Sequence, residues 1–285
     1  MKRFKSLLFI PGNKENMLNK AINLRPDAFI PDMEDSVPYD QKIIALELIK
    51  RELGKLAQMN IPVIPRLNAL SSEFIKNEIK QLTSDQIYGF TIGKIRTVDD
   101  IKSLDALIST EEEKKGMVPG KVKIIPWLES AEAAINAKEI ASCSSRLVAI
   151  AFGGEDFAQD LGIQRSDDEI DLEYPRQMIS LAARAANIYA IDTPYFNFKD
   201  HTGLVANIKY VKNLGFKGKF AIHPSQIDLI NKGFSPSSEE ISYAEEVVRI
   251  FEIALKEGCG STSLNGKVID IPVYKRAKDI LALLS

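Results

Sequence analysis

Two short apolar runs in the middle of the chain end in acidic side chains. Residues 123–128 lead into Glu129, and residues 147–152 lead through two glycines into Glu155 and Asp156. Apolar runs of this length, rich in Val, Ile and Phe, are typical of buried β-strands. Carboxylates are the ligands that hard divalent cations such as Mg²⁺ prefer, so these strand ends are candidate parts of a metal site.

The segment between the two runs is predicted to be a helix. Residues 130–141 repeat alanine at helical spacing, and Ser130 at their start is a typical N-cap. Strand, helix and strand then form a parallel unit, in which Glu129 and Asp156 project from the same edge of the sheet and share one Mg²⁺. The alternative is that each acid only caps the helix that follows it.

Composition and charge exclude several classes of function. The 285 residues include 37 Lys and Arg against 39 Asp and Glu, for a formal net charge of -2. The chain therefore has no basic field for nucleic acid or an anionic membrane surface. The two cysteines, Cys143 and Cys259, are far apart in sequence, which argues against a disulfide framework or a zinc site. No apolar stretch is long enough for a transmembrane helix or a signal peptide, so we expect a cytoplasmic protein.

Runs of the same kind recur along the chain, each followed by polar residues and a helical pattern. Eight such units predict an α/β fold of the (β/α)8 TIM barrel type. A doubly wound open sheet is the alternative. The predicted strands span residues 6–10, 28–31, 62–66, 89–94, 123–128, 147–152, 188–191 and 219–222.

The barrel pattern ends near Gly233, which divides the chain into two predicted domains. Residues 1–233 would form the catalytic barrel, and residues 234–285 a C-terminal helical arm or lid. The arm begins with an amphipathic pattern that predicts a helix over residues 237–256. It also carries Asp270 between apolar neighbours, for which an ordinary turn residue is the simplest interpretation.

Charged or polar residues follow nearly every predicted strand and would meet at the C-terminal rim, where such barrels place their chemistry. Arg66, after the third strand, could hold a substrate carboxylate or stabilise an enolate oxygen. Its alternative role is a structural salt bridge to the acids at 32–35. Glu34 and Asp35 are expected behind the metal, where they would orient Arg66 or bind metal waters. Lys94 is disfavoured as a Schiff-base lysine, because neighbouring acids should hold its proton.

Seven phrases, in order along nearly the whole chain, resemble one known family. This family is the citrate lyase β-subunit-like branch of the HpcH/HpaI aldolase superfamily. Its members are Mg²⁺-dependent barrels that cleave or form a carbon–carbon bond in 3-hydroxyacyl thioesters. The phrases are Ser6-Leu-Leu-Phe-Ile-Pro-Gly-Asn13, Asp32-Met-Glu-Asp-Ser-Val37, Pro65-Arg-Leu-Asn68, Leu128-Glu-Ser-Ala131, Phe152-Gly-Gly-Glu-Asp-Phe157, Ile222-His-Pro-Ser-Gln226 and Asn265-Gly-Lys-Val-Ile-Asp270.

The resemblance implies roles for the residues that match family motifs. Glu129 and Asp156 match the Mg²⁺ ligands, and Arg66 matches the arginine that contacts the oxoacid and thioester oxygens. The backbone at Gly154 and Glu155 would receive the oxoacid carboxylate.

The resemblance also reverses the simplest interpretation of Asp270. It matches a lid aspartate that acts as acid or base and that a neighbouring subunit supplies in relatives. A homo-oligomer, such as a trimer, is therefore expected. Asn13 and Lys14 are candidates for binding the phosphates of CoA.

The function implied is a Mg²⁺-dependent carbon–carbon lyase that acts on citramalyl-CoA or malyl-CoA, with acetyl-CoA and a 2-oxoacid as products. The acids Glu155 and Asp156, together with His223, favour such a stand-alone enzyme over the β subunit of a citrate lyase complex, which acts on a carrier-protein thioester. One departure is Ile92-Gly93-Lys94, where the family often has Leu-Pro-Lys. The alternatives are the citrate lyase β subunit, phosphoenolpyruvate or pyruvate chemistry, and a non-catalytic barrel scaffold.

Overall fold

The computed structural model describes residues 2–166 and 169–284. Eight parallel strands follow one another around a closed barrel, and the first pairs with the eighth. This confirms the (β/α)8 TIM barrel and excludes the open sheet. The strands are β1 (Ser6–Pro11), β2 (Ala28–Asp32), β3 (Arg66–Leu67), β4 (Gly89–Ile92), β5 (Lys123–Leu128), β6 (Ala149–Phe152), β7 (Tyr189–Asp192) and β8 (Gly218–Ala221).

The third strand is much shorter than the sequence predicts. The prediction of 62–66 is wrong in extent, because only Arg66 and Leu67 form the regular strand, although Val63 makes an isolated bridge to Phe29. Two prolines, Pro62 and Pro65, interrupt the run, since proline has no N–H to donate to a neighbouring strand. The remaining pairing still places Arg66 opposite the last residue of β2.

Helices follow the strands along the chain, as the sequence pattern predicts. In the first part of the chain they are α1 (Glu15–Ala21), α2 (Lys42–Ala57), α3 (Ile75–Leu82), α4 (Val98–Lys114), α5 (Ala131–Ile135), α6 (Ala137–Ser142), α7 (Gly154–Leu161), α8 (Glu173–Ala185), α9 (His201–Asn213) and α10 (Ile227–Phe234).

The predicted helix over 130–141 is divided into α5 and α6. Ser130 caps α5 as expected, because its hydroxyl accepts a hydrogen bond from Ala133 N at 3.2 Å. The break falls at Asn136, whose side chain donates to the carbonyl of Arg96 at 3.0 Å.

Aromatic side chains fill the interior of the barrel. The rings of Trp127 and Phe220 have centroids 4.2 Å apart, and Phe9 lies against both. Burial of each such ring contributes about 1.5–3 kcal/mol to stability. The indole N–H of Trp127 donates to Thr91 Oγ1 at 2.7 Å, so its polar group is paired within the core.

The chain divides into two compact units, residues 1–231 and 232–285. The second unit has its own core, which includes Val247, Phe251 and Ile269. Its elements are α11 (Ser238–Lys256), β9 (Thr262–Leu264), β10 (Lys267–Ile269) and α12 (Ile271–Leu281). The helix α11 corresponds to the one that the sequence predicts over residues 237–256.

The sequence analysis does not predict the antiparallel pair of β9 and β10 within the helical arm. Asn265 and Gly266 join the strands with φ values of 50° and 75°. An Asn-Gly pair with both φ values positive is the preferred two-residue hairpin turn, and this signal was available in the sequence. Among the described residues, no helix is long and apolar enough to cross a membrane.

Candidate functional site

Glu129 and Asp156 line the same cavity at the C-terminal ends of the strands. Glu129 directly follows β5 and is 7% exposed, whereas Asp156 is half-buried in the first turn of α7. The cavity has a volume of about 300 Å³. The two acids also line a second cavity of about 400 Å³. The structure thus brings together the two carboxylates that the sequence analysis selects.

The pKa values of these carboxylates are raised, because burial and nearby acids outweigh the nearby cations. Burial raises the pKa of Glu129 to about 8, and the charges of Asp156 and Glu34 add to the shift. Burial likewise raises the pKa of Glu34 to about 7. The pKa of Asp156 is raised by burial and then by the charge of Asp35. A bound cation would favour the ionised form of all these groups.

Two glycines make room for the Glu129 carboxylate. A Cβ atom at Gly153 would clash with Glu129 Oε2, and one at Gly93 would lie 2.8 Å from Glu129 Oε1. The backbone N–H of Lys94, where φ is 59°, donates to Glu129 Oε1 at 2.6 Å. The departure from the family pattern at Gly93 therefore lies against the carboxylate itself.

Glu34 lies beside Glu129 and has an unpaired carboxylate oxygen. Its Oε1 is buried and has no hydrogen-bond partner, and the nearest ammonium, Lys94 Nζ, is 3.6 Å away. The Cβ position of Gly93 would lie within 3.1 Å of both Glu34 oxygens as well as close to Glu129. The carboxylate oxygens close to Gly93 are hard ligands, the type that Mg²⁺ prefers. In residues 2–166 and 169–284, no group of three or more His, Cys, Asp or Glu is arranged as a metal site.

Arg66 is held by acids on three sides. Its Nε and Nη2 donate to the two oxygens of Asp32 at 2.6 and 2.7 Å. Its Nη1 contacts Asp35 at 2.9 Å and Glu34 at 3.2 Å. Burial works to lower the pKa of Arg66, but the charge of Asp32 and its hydrogen bonds outweigh burial and raise it. The guanidinium is therefore permanently charged and fixed in orientation, and it lines the cavity over the ring of Phe9.

Asp32 is one of the acids at 32–35 to which the sequence analysis expects Arg66 to form a salt bridge in its alternative role, and the structure shows that salt bridge. Asp32 is 1% exposed, and besides Arg66 it accepts hydrogen bonds from the backbone of Glu34 at 2.9 Å and of Ser36 at 3.1 Å. Burial raises its pKa, but Arg66 more than reverses the shift, and the net pKa is lowered. Its position as the last residue of β2, opposite Arg66, was the available signal.

The other side of the cavity is formed by the start of α7 and the end of β7. Gly154, Glu155 and Thr193 line the cavity there. The backbone N–H of Gly154 donates to Thr193 Oγ1 at 3.3 Å. The Glu155 side chain turns to an ion pair with Arg165. The sequence analysis did not identify Thr193 or Arg165 as site residues.

Comparison with known proteins gives this site a family. The family model for HpcH/HpaI aldolase/citrate lyase matches residues 5–224. The chain belongs to this family. The citrate lyase subunit beta of Leuconostoc mesenteroides subsp. cremoris is 34% identical over 279 residues, which cover 98% of this chain and 92% of that protein. The (3S)-malyl-CoA thioesterase of Cereibacter sphaeroides (strain ATCC 17025 / ATH 2.4.3) is 33% identical over 279 residues, which cover 98% and 94%.

A solved structure shows the same fold. It is the protein CitE from Mycobacterium tuberculosis in complex with magnesium, acetoacetate and coenzyme A, with a TM-score of 0.79 and 24% identity. The match covers 98% of this chain and 97% of that chain. The HpcH/HpaI aldolase/citrate lyase family and the citrate lyase relatives indicate a lyase.

Three residues that the family resemblance selects lie outside the cavity lining described above. Asn13 and Lys14 connect β1 to α1, and Asn13 Nδ2 donates to Gln41 Oε1 at 2.5 Å. Asp270 lies in the second unit, where its side chain accepts a hydrogen bond from Val273 N at 3.2 Å and caps α12.

Lys94 keeps its proton, as the sequence analysis expects. Burial works to lower its pKa, but the charges of Glu34 and then Asp35 outweigh burial, and the net pKa is raised. A lysine must lose its proton to attack a carbonyl carbon. The direction of this pKa shift argues against Schiff-base chemistry at Lys94.

Proposed function

We propose that the protein is a Mg²⁺-dependent carbon–carbon lyase. Its substrate would be a 3-hydroxyacyl-CoA thioester such as citramalyl-CoA or malyl-CoA, cleaved to acetyl-CoA and a 2-oxoacid or formed from them. The observation that carries the proposal is the pair Glu129 and Asp156, which line one cavity with raised pKa values. Such a pair is costly to the fold unless a cation joins it.

Glu129 and Asp156 would hold the Mg²⁺ ion, with Glu34 and Asp35 behind it. When bound, the ion supplies a Lewis acid that lowers the pKa of a coordinated hydroxyl group. Two protein carboxylates leave the ion free to accept oxygens from a chelating acid, such as a carboxylate with an adjacent hydroxyl or carbonyl group.

The remaining groups of the cavity suit the two ends of the reacting bond. The backbone at Gly154 and Glu155 begins a helix, where an anion is favoured, and would receive the oxoacid carboxylate. Arg66 keeps its charge and would stabilise the oxygen of the thioester enolate that forms when the bond breaks. Because acids fix its orientation, little reorganisation would be needed during the reaction.

The proton of the substrate hydroxyl needs an acceptor, for which we propose Asp270. In the arrangement that the family resemblance implies, this residue comes from a neighbouring subunit, so the active form would be a homo-oligomer such as a trimer. Asn13 and Lys14 would bind phosphates of CoA at the end of β1.

A second candidate is the β subunit of a citrate lyase complex, which would act on a citryl thioester carried by a protein. The relatives favour neither candidate, because identities of 34% and 33% belong to proteins with different names. A non-catalytic scaffold is the weakest candidate, since it gives no reason to keep Glu129 buried beside a second acid.

The test is a panel of malyl-, methylmalyl-, citramalyl- and citryl-CoA, each incubated with Mg²⁺ or with EDTA and resolved by mass spectrometry. We expect acetyl-CoA or propionyl-CoA together with a 2-oxoacid, and only with Mg²⁺. Free CoA with an intact hydroxyacid would instead indicate thioester hydrolysis and would contradict the lyase proposal. The variant Glu129→Gln should be inactive, whereas Glu132→Gln, which changes an exposed acid of α5, should retain wild-type activity.

A further inference from the structure

A closed ring of polar contacts links the start of α7 to the end of β7. We call it the polar ring. It closes through the backbone of Gly154, and its side chains belong to Glu155, Arg165, Glu169, Arg176, Asp192 and Thr193. Acids and arginines alternate from Glu155 to Asp192, and the neutral Thr193 and the backbone of Gly154 complete the circuit.

Arg165 forms the outer part of the ring. Its Nη1 donates to Glu155, whose side chain is 52% exposed, and its Nη2 donates to Glu169 Oε1 at 2.6 Å. The guanidinium also lies beside the backbone, because a Cβ at Gly154 would be 3.5 Å from Arg165 Nη1. Arg165 therefore connects the first turn of α7 to the segment that precedes α8.

Arg176 forms the inner part of the ring. Its side chain is fully buried, and it contacts Glu169 Oε2 at 2.8 Å and Asp192 Oδ1 at 2.9 Å. Asp192, also fully buried, accepts a further hydrogen bond from Lys219 of β8. Buried charges that would be left unpaired are costly, so this part of the ring has one strongly preferred arrangement.

Thr193 closes the ring. It follows Asp192 in the chain, is 2% exposed, and accepts the hydrogen bond of Gly154 N. Gly154 in turn precedes Glu155, where the circuit began. The ring thus meets the cavity at Gly154, Glu155 and Thr193, and the first two of these begin α7.

We propose that Arg165 and Thr193 are positioning residues that fix the first turn of α7 for the carboxylate of the substrate. Thr193 accepts the N–H of Gly154, so the donor to that carboxylate would be the N–H of Glu155. The inference rests on the proposed function for the identity of the anion, but the ring itself does not. A donor held in place binds an anion without first losing conformational freedom, and small displacements of such groups are costly to binding and catalysis. Opening the ring at either residue should release the same short segment.

Hydrogen–deuterium exchange tests the ring without reference to activity. In Arg165→Met and in Thr193→Val, amides of residues 153–158 should exchange about ten-fold faster than in the wild type, while the other strand ends are unchanged. The matched control is Arg51→Met, since Arg51 also pairs with two acids, Glu15 and Glu52, and should leave residues 153–158 unaffected. Unchanged exchange in both ring variants, or equally faster exchange throughout the barrel, would overturn the inference.

Steady-state kinetics test the consequence for the substrate. Each ring variant should raise KM about ten-fold with kcat within about three-fold, a pattern that general destabilisation does not produce. In the double variant, KM should exceed that of the worse single variant by less than about three-fold, because the ring is already open. If the two single-variant increases in KM multiply in the double variant, the two residues act independently, which would reject the ring. If the wild type cleaves no thioester of the panel, the proposed function fails, whereas the exchange experiment still decides the ring.

Discussion

Two buried charge clusters lie at opposite ends of the barrel strands, and only one of them is balanced. At the N-terminal ends, Arg146 is 3% exposed and contacts both oxygens of Glu112, at 2.9 and 2.7 Å, and Asp105 at 2.5 Å. Glu112 also accepts the backbone N–H groups of Gly120 and Val122. Burial raises the pKa of Glu112, but Arg146 and these hydrogen bonds more than reverse the shift, and the net pKa is lowered.

At the C-terminal ends, the cluster of Glu34, Glu129 and Asp156 shows the opposite balance. The pKa values of all three are raised, chiefly by burial. Arg66 contacts Glu34 at 3.2 Å, but its two shortest contacts are with Asp32. The difference separates a cluster in which a buried arginine lowers the pKa of its acid from one in which the pKa values of the acids stay raised.

The largest effect should come from breaking the balanced cluster. Arg146→Met leaves Glu112 buried without its cation, and loss of one partner of a buried ion pair costs about 3–5 kcal/mol. Urea denaturation should show this loss of unfolding free energy both with and without Mg²⁺. A loss below about 1 kcal/mol would mean that the cluster is not structural in the sense proposed.

Removal of an acid from the unbalanced cluster should affect activity rather than stability. Asp156→Ala should reduce Mg²⁺-dependent cleavage about a thousand-fold, which corresponds to about 4 kcal/mol of transition-state stabilisation. Without Mg²⁺, its unfolding free energy should not fall more than about 0.5 kcal/mol below that of the wild type, because a like charge is removed. A variant that retains full Mg²⁺-stimulated activity would rule out Asp156 as a ligand.

The two clusters should respond to pH in opposite directions. Glu129 binds a proton more tightly in the folded protein, so its contribution to stability is present at low pH and is lost as the pH rises from 4.5 to about 8. Without Mg²⁺, the titration of Glu129 alone should lower stability by up to about 1.4 kcal/mol per pH unit in that range. Glu34, whose pKa is raised to about 7, adds to the fall, so Glu129→Gln should reduce the slope without removing it.

Glu112 has a lowered pKa, so its contribution is present above the ordinary glutamate value of 4.5 and is lost as the pH falls below it. Chemical denaturation from about pH 2 to about pH 9 measures both limbs. Equal slopes for Glu129→Gln and the wild type above pH 4.5 would contradict the assignment for Glu129.

Much of the fold follows from patterns that a single sequence displays. Apolar runs and helical spacing predict the barrel, and the placement of Glu129 and Asp156 after β5 and β6 follows from parallel pairing. Two details were not predicted. The short β3 depends on prolines within an apolar run. The break at Asn136 lies where its side chain contacts Arg96. Local propensity is overruled in such places by tertiary contacts.

The partners within the site were harder to predict than its acids. Thr193 and Arg165 act through contacts with residues 39 and 10 positions away in the chain. Strand ends predict the pairing of Arg66 with the acids at 32–35, but they do not indicate the contacts of Thr193 and Arg165. The balance of charge at the rim, which distinguishes a metal site from a salt-bridge cluster, therefore became visible only in three dimensions.

The central claim is that Glu129 and Asp156 bind a divalent cation. Calorimetric titration of Mg²⁺ into the wild type, with glyoxylate or pyruvate present, tests it most directly, with Glu129→Gln, Asp156→Ala and the control Glu132→Gln measured in parallel. The account predicts one ion per chain in the wild type and in Glu132→Gln, and none at the same concentrations in the other two variants. Equal binding by Glu129→Gln and the wild type, or no binding by the wild type, would contradict it.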